Sequence, residues 1–169
     1  ESTNAYRLVF AEADGLPGLI VDRYGDWLVL QSLTLGIERR KAMIVNLLAE
    51  LASPRGIYER SDVDVRRHEG LSPANGPLLG DVPPMPLLVT ENGLGLQADL
   101  VGGHKTGLYL DQRRNRQRVG AFCTGREVLD AFSYTGGFGL CAAAAGAKRI
   151  THVDSSADAL RGAAENARL

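Results

Sequence analysis

Asp130-Ala131-Phe132-Ser133-Tyr134-Thr135-Gly136-Gly137-Phe138-Gly139 follows directly on Glu127-Val128-Leu129, and how this stretch reads decides the fold. Glu127 to Phe132 has the composition of a buried strand, Ser133 to Gly137 that of a loop, and Phe138 to Ala145 that of a helix ended by Gly146. Arg149-Ile150-Thr151-His152-Val153-Asp154 reads as a second short strand. Ser155-Ser156-Ala157-Asp158 has the S-x-x-D form that opens a helix, here leading into Ala159 to Leu169. Strand, glycine turn, helix, strand and helix make one βαβα run of a doubly wound parallel sheet.

Glycines directly after a strand let a ligand lie against the backbone where a helix begins, and the helix N-terminus lends the place partial positive charge. The same glycines would also allow close helix–strand packing, with Phe138, Cys141, Ala142 and Ala145 on one face. Asp154, ending the second strand, is placed to accept hydrogen bonds from the two hydroxyls of an adenosine ribose. Gly137-Phe138-Gly139-Leu140-Cys141-Ala142 satisfies G-x-G-x-x-A, so a nicotinamide dinucleotide has to be weighed. Asp130 argues against it. A carboxylate before the loop would repel a pyrophosphate but complement the ammonium and sulfonium of S-adenosylmethionine. Phe132 to Thr135 also separate the strand from the first glycine, unlike a tight dinucleotide turn.

Upstream, the pattern is β. Tyr6-Arg7-Leu8-Val9-Phe10, Gly18 to Tyr24 and Trp27 to Leu33 are apolar or β-branched runs separated by Asp14-Gly15-Leu16-Pro17-Gly18 and Gly25-Asp26, which predicts an antiparallel meander. Ile37, Ile44, Leu47, Leu48 and Leu51 form a helical stripe stopped by Ser53-Pro54, and Arg55 to Glu59 returns as a strand. Residues 70–86 contain so many glycines and prolines that they predict a loop. Asn92-Gly93, between Leu87 to Glu91 and Leu94 to Asp99, predicts a hairpin.

Gly102-Gly103-His104-Lys105-Thr106-Gly107 then leads toward Asp111, a candidate cap, and an arginine-rich helix running from Gln112 toward Phe122. Arg113 with Arg116, and Arg114 with Arg118, give this helix two neighbouring basic stripes that could take phosphates. A solvated face is the plainer reading of such a charge run. Cys123 and Cys141 lie in no metal or redox spacing and read as small buried hydrophobes, and His68, His104 and His152 as surface or core residues.

Composition is that of a globular chain: 169 residues, 44% hydrophobic, 23% charged, net charge −1. Disordered, fibrous and disulfide-scaffold classes are excluded, and overall charge gives no reason to expect nucleic acid. No run is apolar enough for a membrane span and no leader precedes the first strand, so a cytoplasmic protein without a membrane partner is expected.

Along nearly its whole length the sequence resembles the 23S ribosomal RNA large subunit methyltransferase I family. The resemblance rests on Thr3-Asn4-Ala5-Tyr6-Arg7-Leu8, Asp14 to Tyr24, Ile57-Tyr58-Glu59-Arg60-Ser61-Asp62, Gly102 to Gly107 and Asp130 to Phe138. These bacterial enzymes use S-adenosylmethionine to methylate C5 of a cytosine, so the resemblance implies that cofactor and ribosomal RNA as the partner. It implies a central α+β domain over residues 1–100 and the N-terminal part of a Rossmann-like methyltransferase domain over 101–169. Tyr109, Asp111, Gln112 and Arg113 would approach the cofactor from the side opposite the glycine loop. Asp130, Phe132, Ser133, Tyr134, Thr135, Gly136 and Gly137 would surround its methionine and ribose, with Asp154 on the ribose hydroxyls and Ser155 beside the adenine. Lys105, Arg114 and Arg116 are the candidate RNA contacts. A PUA domain before Glu1, and an Asp-Pro-Pro segment and catalytic cysteine beyond Leu169, would complete the family pattern. The stretch is therefore expected to bind cofactor without doing chemistry unaided. A guanine methyltransferase of the same superfamily and a non-catalytic RNA-binding module are the alternatives.

Overall fold

The computed structural model describes residues 2–169, which divide into two compact units. The first comprises Asn4–Val89 and Ala98–Leu108; the second comprises Thr90–Gln97 and Tyr109–Leu169 together with Ser2 and Thr3. Division is thus not a single cut near residue 100, because the hairpin arms cross between the units.

In the first unit, β1 (Ala5–Phe10), β2 (Leu19–Tyr24) and β3 (Trp27–Ser32) form the expected antiparallel meander. Gly25, at φ +59°, makes the β2–β3 turn. Two helices, α1 (Leu35–Glu38) and α2 (Lys41–Ala52), connect β3 to β4 (Gly56–Ser61), which pairs parallel to it. β5 (Ala74–Gly80) closes the sheet antiparallel to β4. The expectation of a loop over 70–86 is corrected here. Pro77 sits opposite Tyr58 on an edge strand, where its missing N–H costs no ladder bond on the outer side.

The core joins Leu19, Val21, Leu28, Leu30 and Ile57 of the sheet to Ile37, Val45 and Leu48 of the helices. Leu47 and Leu51, assigned to the buried stripe from their spacing, are exposed. Ile37 and Leu48 of the expected stripe are buried, and Val45 joins them where the break at Arg39-Arg40 between α1 and α2 shifts the helical phase. Beside this core Glu38 accepts hydrogen bonds from Lys41 Nζ (2.7 Å), Ser32 Oγ (2.7 Å) and Arg66 Nη1 (3.0 Å), and Arg66 also donates to the carbonyl of Ser32. Burial pushes the Glu38 carboxyl up, but the hydrogen bonds from Lys41, Ser32 and Arg66 and the Lys41 charge outweigh it and hold the group at about 2, against an ordinary 4.5. A depressed folded-state value stabilises the fold above the unfolded value, and that contribution is lost as pH falls from about 4.5 toward about 2. Wild-type stability measured by urea titration should therefore drop more steeply across this window than that of Glu38→Gln; parallel profiles would refute the assignment.

The second unit holds the hairpin tip of β6 (Leu87–Glu91) and β7 (Leu94–Ala98), where Asn92 (φ +51°) and Gly93 (φ +84°) supply the positive φ pair expected of a primed turn. It continues with α3 (Arg113–Gly120), β8 (Glu127–Ala131), α4 (Gly137–Ala144), β9 (Arg149–Val153) and α5 (Ala157–Asn166). β8 and β9 pair parallel, Asp130 opposite His152. Beyond α4, Gly146 N–H bonds to Ala143 and Ala147 N–H to Ala142, a Schellman ending with glycine at φ +86°. α5 is capped by Ser156, whose Oγ accepts from Ala159 N–H at 3.2 Å. The cap therefore sits one residue later than the S-x-x-D reading placed it. Asp111 does not cap α3 either. It lies inside a 3-10 turn (Leu110–Gln112) that leads straight into the helix.

Candidate functional site

β8 and β9 end side by side, and the turn between β8 and α4 folds back over both ends. Ser133 N–H donates to the Val153 carbonyl at 3.1 Å, while Phe132 (φ +58°) and Tyr134 (φ +48°) take left-handed conformations that cost a non-glycine residue about 1 kcal/mol or more. That strain is offset by hydrogen bonds. Asp154 accepts Tyr134 N–H at 2.8 Å on one oxygen and Ser156 N–H at 2.9 Å on the other, so it ties the turn to the start of α5. Asp130, buried at 7% exposure, accepts Gly139 N–H at 2.9 Å. Gly136 at the N-cap of α4 has no side chain to cap with, so a carboxylate from the strand does this work, at the end where the helix dipole favours it. The two acids thus converge on one turn.

Packing demands the glycines of this turn. A Cβ on Gly137 would lie 3.1 Å from Cδ of Arg116, and one on Gly136 3.0 Å from both Ala163 Cβ and His152 Cε1. Close packing is the demand the structure shows at these positions. The turn leaves the ring of Phe132 open, at 92% exposure, while the Oγ of Ser133 is buried with no hydrogen-bond partner among the described residues.

Tyr109, assigned to the opposite side of the site, does meet the turn. Its ring stands edge-on to Tyr134, centroids 5.7 Å apart at 80°. Gln112 donates to Asp111 at 2.8 Å and accepts from Asn115 at 2.9 Å. Arg113 is half-buried and Asp111 exposed. Thr135 contributes its carbonyl to Asn166 Nδ2 at 2.9 Å, and Ser155 is exposed.

Among the RNA candidates, Arg114 is exposed on α3 and Lys105 exposed on its loop. Arg116 is a correction. Its side chain is buried, and its guanidinium makes a two-bond pair with Glu91, 2.8 and 2.6 Å, with a third bond to the Tyr109 carbonyl at 3.2 Å. It cannot reach a phosphate. Helical spacing shows which residues share a face but not that a hairpin carboxylate waits opposite one of them. Thr106 is likewise internal, bonded to Asp22 and Tyr24. Cys123 is buried with its thiol toward the Val119 carbonyl at 3.2 Å. Burial, reinforced by the Glu91 charge and opposed by Arg116, pushes the Cys141 thiol up. Neither has the makings of a nucleophile. The residue that spacing passed over is His152, which faces Asp130 across the strand pair.

A parallel strand pair, a turn leading into a helix and an acid at each strand end define one half of a Rossmann-like nucleotide-cofactor domain. Residues 68–169 match the model for S-adenosylmethionine-dependent methyltransferases, and the chain belongs to that family. A ribosomal RNA large subunit methyltransferase I from Shewanella denitrificans is 51% identical over 166 residues, 98% of this chain and 42% of the relative. Its namesake from Vibrio vulnificus is 48% identical over 169 residues, 100% of this chain and 43% of the relative. A solved structure described as a candidate methyltransferase complexed with SAH superposes with a TM-score of 0.86 at 28% identity, covering 99% of this chain and 42% of that one. The resemblance read from the motifs is borne out. The chain spans less than half the length of these relatives.

Proposed function

We propose that this chain forms the central domain and the cofactor-binding half of an S-adenosylmethionine-dependent methyltransferase that modifies C5 of a cytosine in large-subunit ribosomal RNA, in the cytoplasm. One observation carries the cofactor assignment: two carboxylates, Asp130 and Asp154, converge on a single strained turn that also holds a buried Ser133 hydroxyl with no hydrogen-bond partner among the described residues. Those features fit the group. Two anionic sites suit a cationic sulfonium amino acid and a ribose diol better than a pyrophosphate. Asp130 would face the ammonium end, and the second lone pairs of Asp154 would accept from the ribose hydroxyls. Ser133 would satisfy its hydroxyl on the ligand, and Phe132 and the Tyr109–Tyr134 pair would cover its apolar parts. The bound cofactor supplies an electrophilic methyl group.

Cytosine C5 needs prior addition of a nucleophile at C6, and the environments of Cys123 and Cys141 suit neither to that role. The thiolate therefore belongs to the remainder of the protein, and this stretch would not turn over by itself. Leu129 (67% exposed) and Val153 (50% exposed) leave one face of the β8–β9 pair open. Parallel sheets are covered on both faces, so further elements would complete it. Lys105 and Arg114 would contact RNA phosphates.

Titration of S-adenosylmethionine into the full-length protein by calorimetry tests the cofactor assignment, with NAD as the control that should give no heat. Asp154→Ala removes two charge-assisted bonds that pin the turn, together with the ribose acceptor, and should weaken binding by about 10- to 100-fold. An unchanged Kd would remove Asp154 from the site. Mass spectrometry of the modified RNA decides the base: a methyl group on cytosine C5 supports the proposal, and one on a guanine nitrogen refutes it.

A further inference from the structure

The imidazole of His152 is seated on the turn that the cofactor assignment uses. A Cβ added to Gly139 would lie 2.2 Å from its Cε1 and 2.8 Å from its Nε2, and one on Gly136 would lie 3.0 Å from Cε1. Gly139 and Gly136 therefore form a cradle for this ring. Across the strand pair Nδ1 lies 3.2 Å from Oδ2 of Asp130, yet it is buried and has no hydrogen-bond partner among the described residues. Distance is satisfied and alignment is not. The same Oδ2 takes the Gly139 N–H, while Oδ1 has no hydrogen bond among the described residues. A residue that merely filled the cradle would need no polar atom there, and a buried ring nitrogen beside a buried carboxylate is unfavourable unless it is used.

We infer that His152 is a positioning residue for the cofactor. A small rotation of the ring brings Nδ1–H into line with Asp130 Oδ2. The carboxylate is then clamped between His152 and the Gly139 amide, leaving Oδ1 for the cationic end of the ligand. This inference rests on the cofactor assignment above, and its test separates the two.

Calorimetric titration of S-adenosylmethionine into the full-length protein is compared for wild type, His152→Ala, His152→Asn and His152→Gln, with thermal melts reporting whether each variant folds. Asparagine carries an amide nitrogen close to the place of Nδ1; glutamine carries its nitrogen nearer to that of Nε2. His152→Ala should weaken binding about tenfold, the loss of one hydrogen bond to a charged group. His152→Asn should restore it to within about twofold, and His152→Gln should stay weak, as expected when only the Nδ1 position bonds Asp130. Should the alanine variant fail to fold, the contrast between Asn and Gln decides alone. Equal rescue by both, or wild-type affinity in the alanine variant, would overturn the inference and leave the cofactor assignment standing. Absence of binding heat in the wild type would overturn both.

Discussion

Arg116→Ala should destabilise the second unit by about 3–5 kcal/mol, the range for breaking a buried ion pair from one side. The magnitude comes from what is left behind. Glu91 has 2% of its side chain exposed and receives both of its short bonds from Arg116. Truncation strands a buried carboxylate, frees the Tyr109 carbonyl and empties the space against Gly137 that the arginine stem fills. Lysine should rescue little, since one ammonium cannot reproduce a two-bond fork. Replacing Glu91 and Arg116 together by leucine and methionine should cost far less than either single truncation, because no charge then remains buried. Hydrogen exchange of the α3 and α4 amides measures the effect. A loss below about 1 kcal/mol in Arg116→Ala would mean that Glu91 finds water. Because the pair also holds the stem that packs on the glycine turn, cofactor affinity should fall with stability in the single variant and recover in the double one.

That pair marks the limit of what the chain discloses as a string of letters. Local chemistry was legible. The Asn92-Gly93 turn, the strand–turn–helix at Asp130 to Ala144, the parallel strand at Arg149 and the meander before Leu35 follow from residue types a few positions apart. Partners brought from a distance were not. Arg116 looks like its neighbours Arg114 and Arg118 until Glu91, 25 residues away, is placed against it. Pro77, between Gly76 and Gly80, looks like loop until an outer sheet edge excuses it. His152 looks like any alternating strand residue until its register with Asp130 and the cradle of Gly136 and Gly139 are known. The packing demand on the turn glycines was hidden for the same reason: a ligand and a neighbouring side chain ask the same of a residue without Cβ, and only coordinates bring Arg116 and His152 against them. Asp130 itself was picked out by charge, but its duty as the distant cap of α4 needed the three-dimensional arrangement.

Asp22→Ala should also be damaging, by about 2–4 kcal/mol, and its effect should reach a motif more than 80 positions along the chain. Asp22 is fully buried. It takes two bonds from Arg7, at 2.7 and 2.9 Å, and one from Thr106 Oγ1 at 2.6 Å. Thr106 in turn shares a 2.9 Å bond with the Tyr24 hydroxyl, which accepts the Leu108 N–H at 3.1 Å. Burial, with the Asp22 charge adding to it, drives the Tyr24 phenol far above its ordinary range, so this hydroxyl stays protonated and available to the network. Removing Asp22 takes two hydrogen bonds from the Arg7 guanidinium and leaves the buried Thr106 hydroxyl without its acceptor, the latter with a desolvation cost. Trp27, the sole tryptophan, stands in β3 beside this network, and its fluorescence in a urea titration reports the loss. The consequence for function is specific. Thr106 anchors Gly102 to Gly107, the loop that presents Lys105, so hydrogen exchange at Thr106 and Leu108 should accelerate in Asp22→Ala by more than the global loss of stability explains. Tyr24→Phe should accelerate Leu108 alone, with a smaller cost of about 1 kcal/mol. If both variants left exchange at Leu108 unchanged, the loop would be held by something other than this chain of hydroxyls.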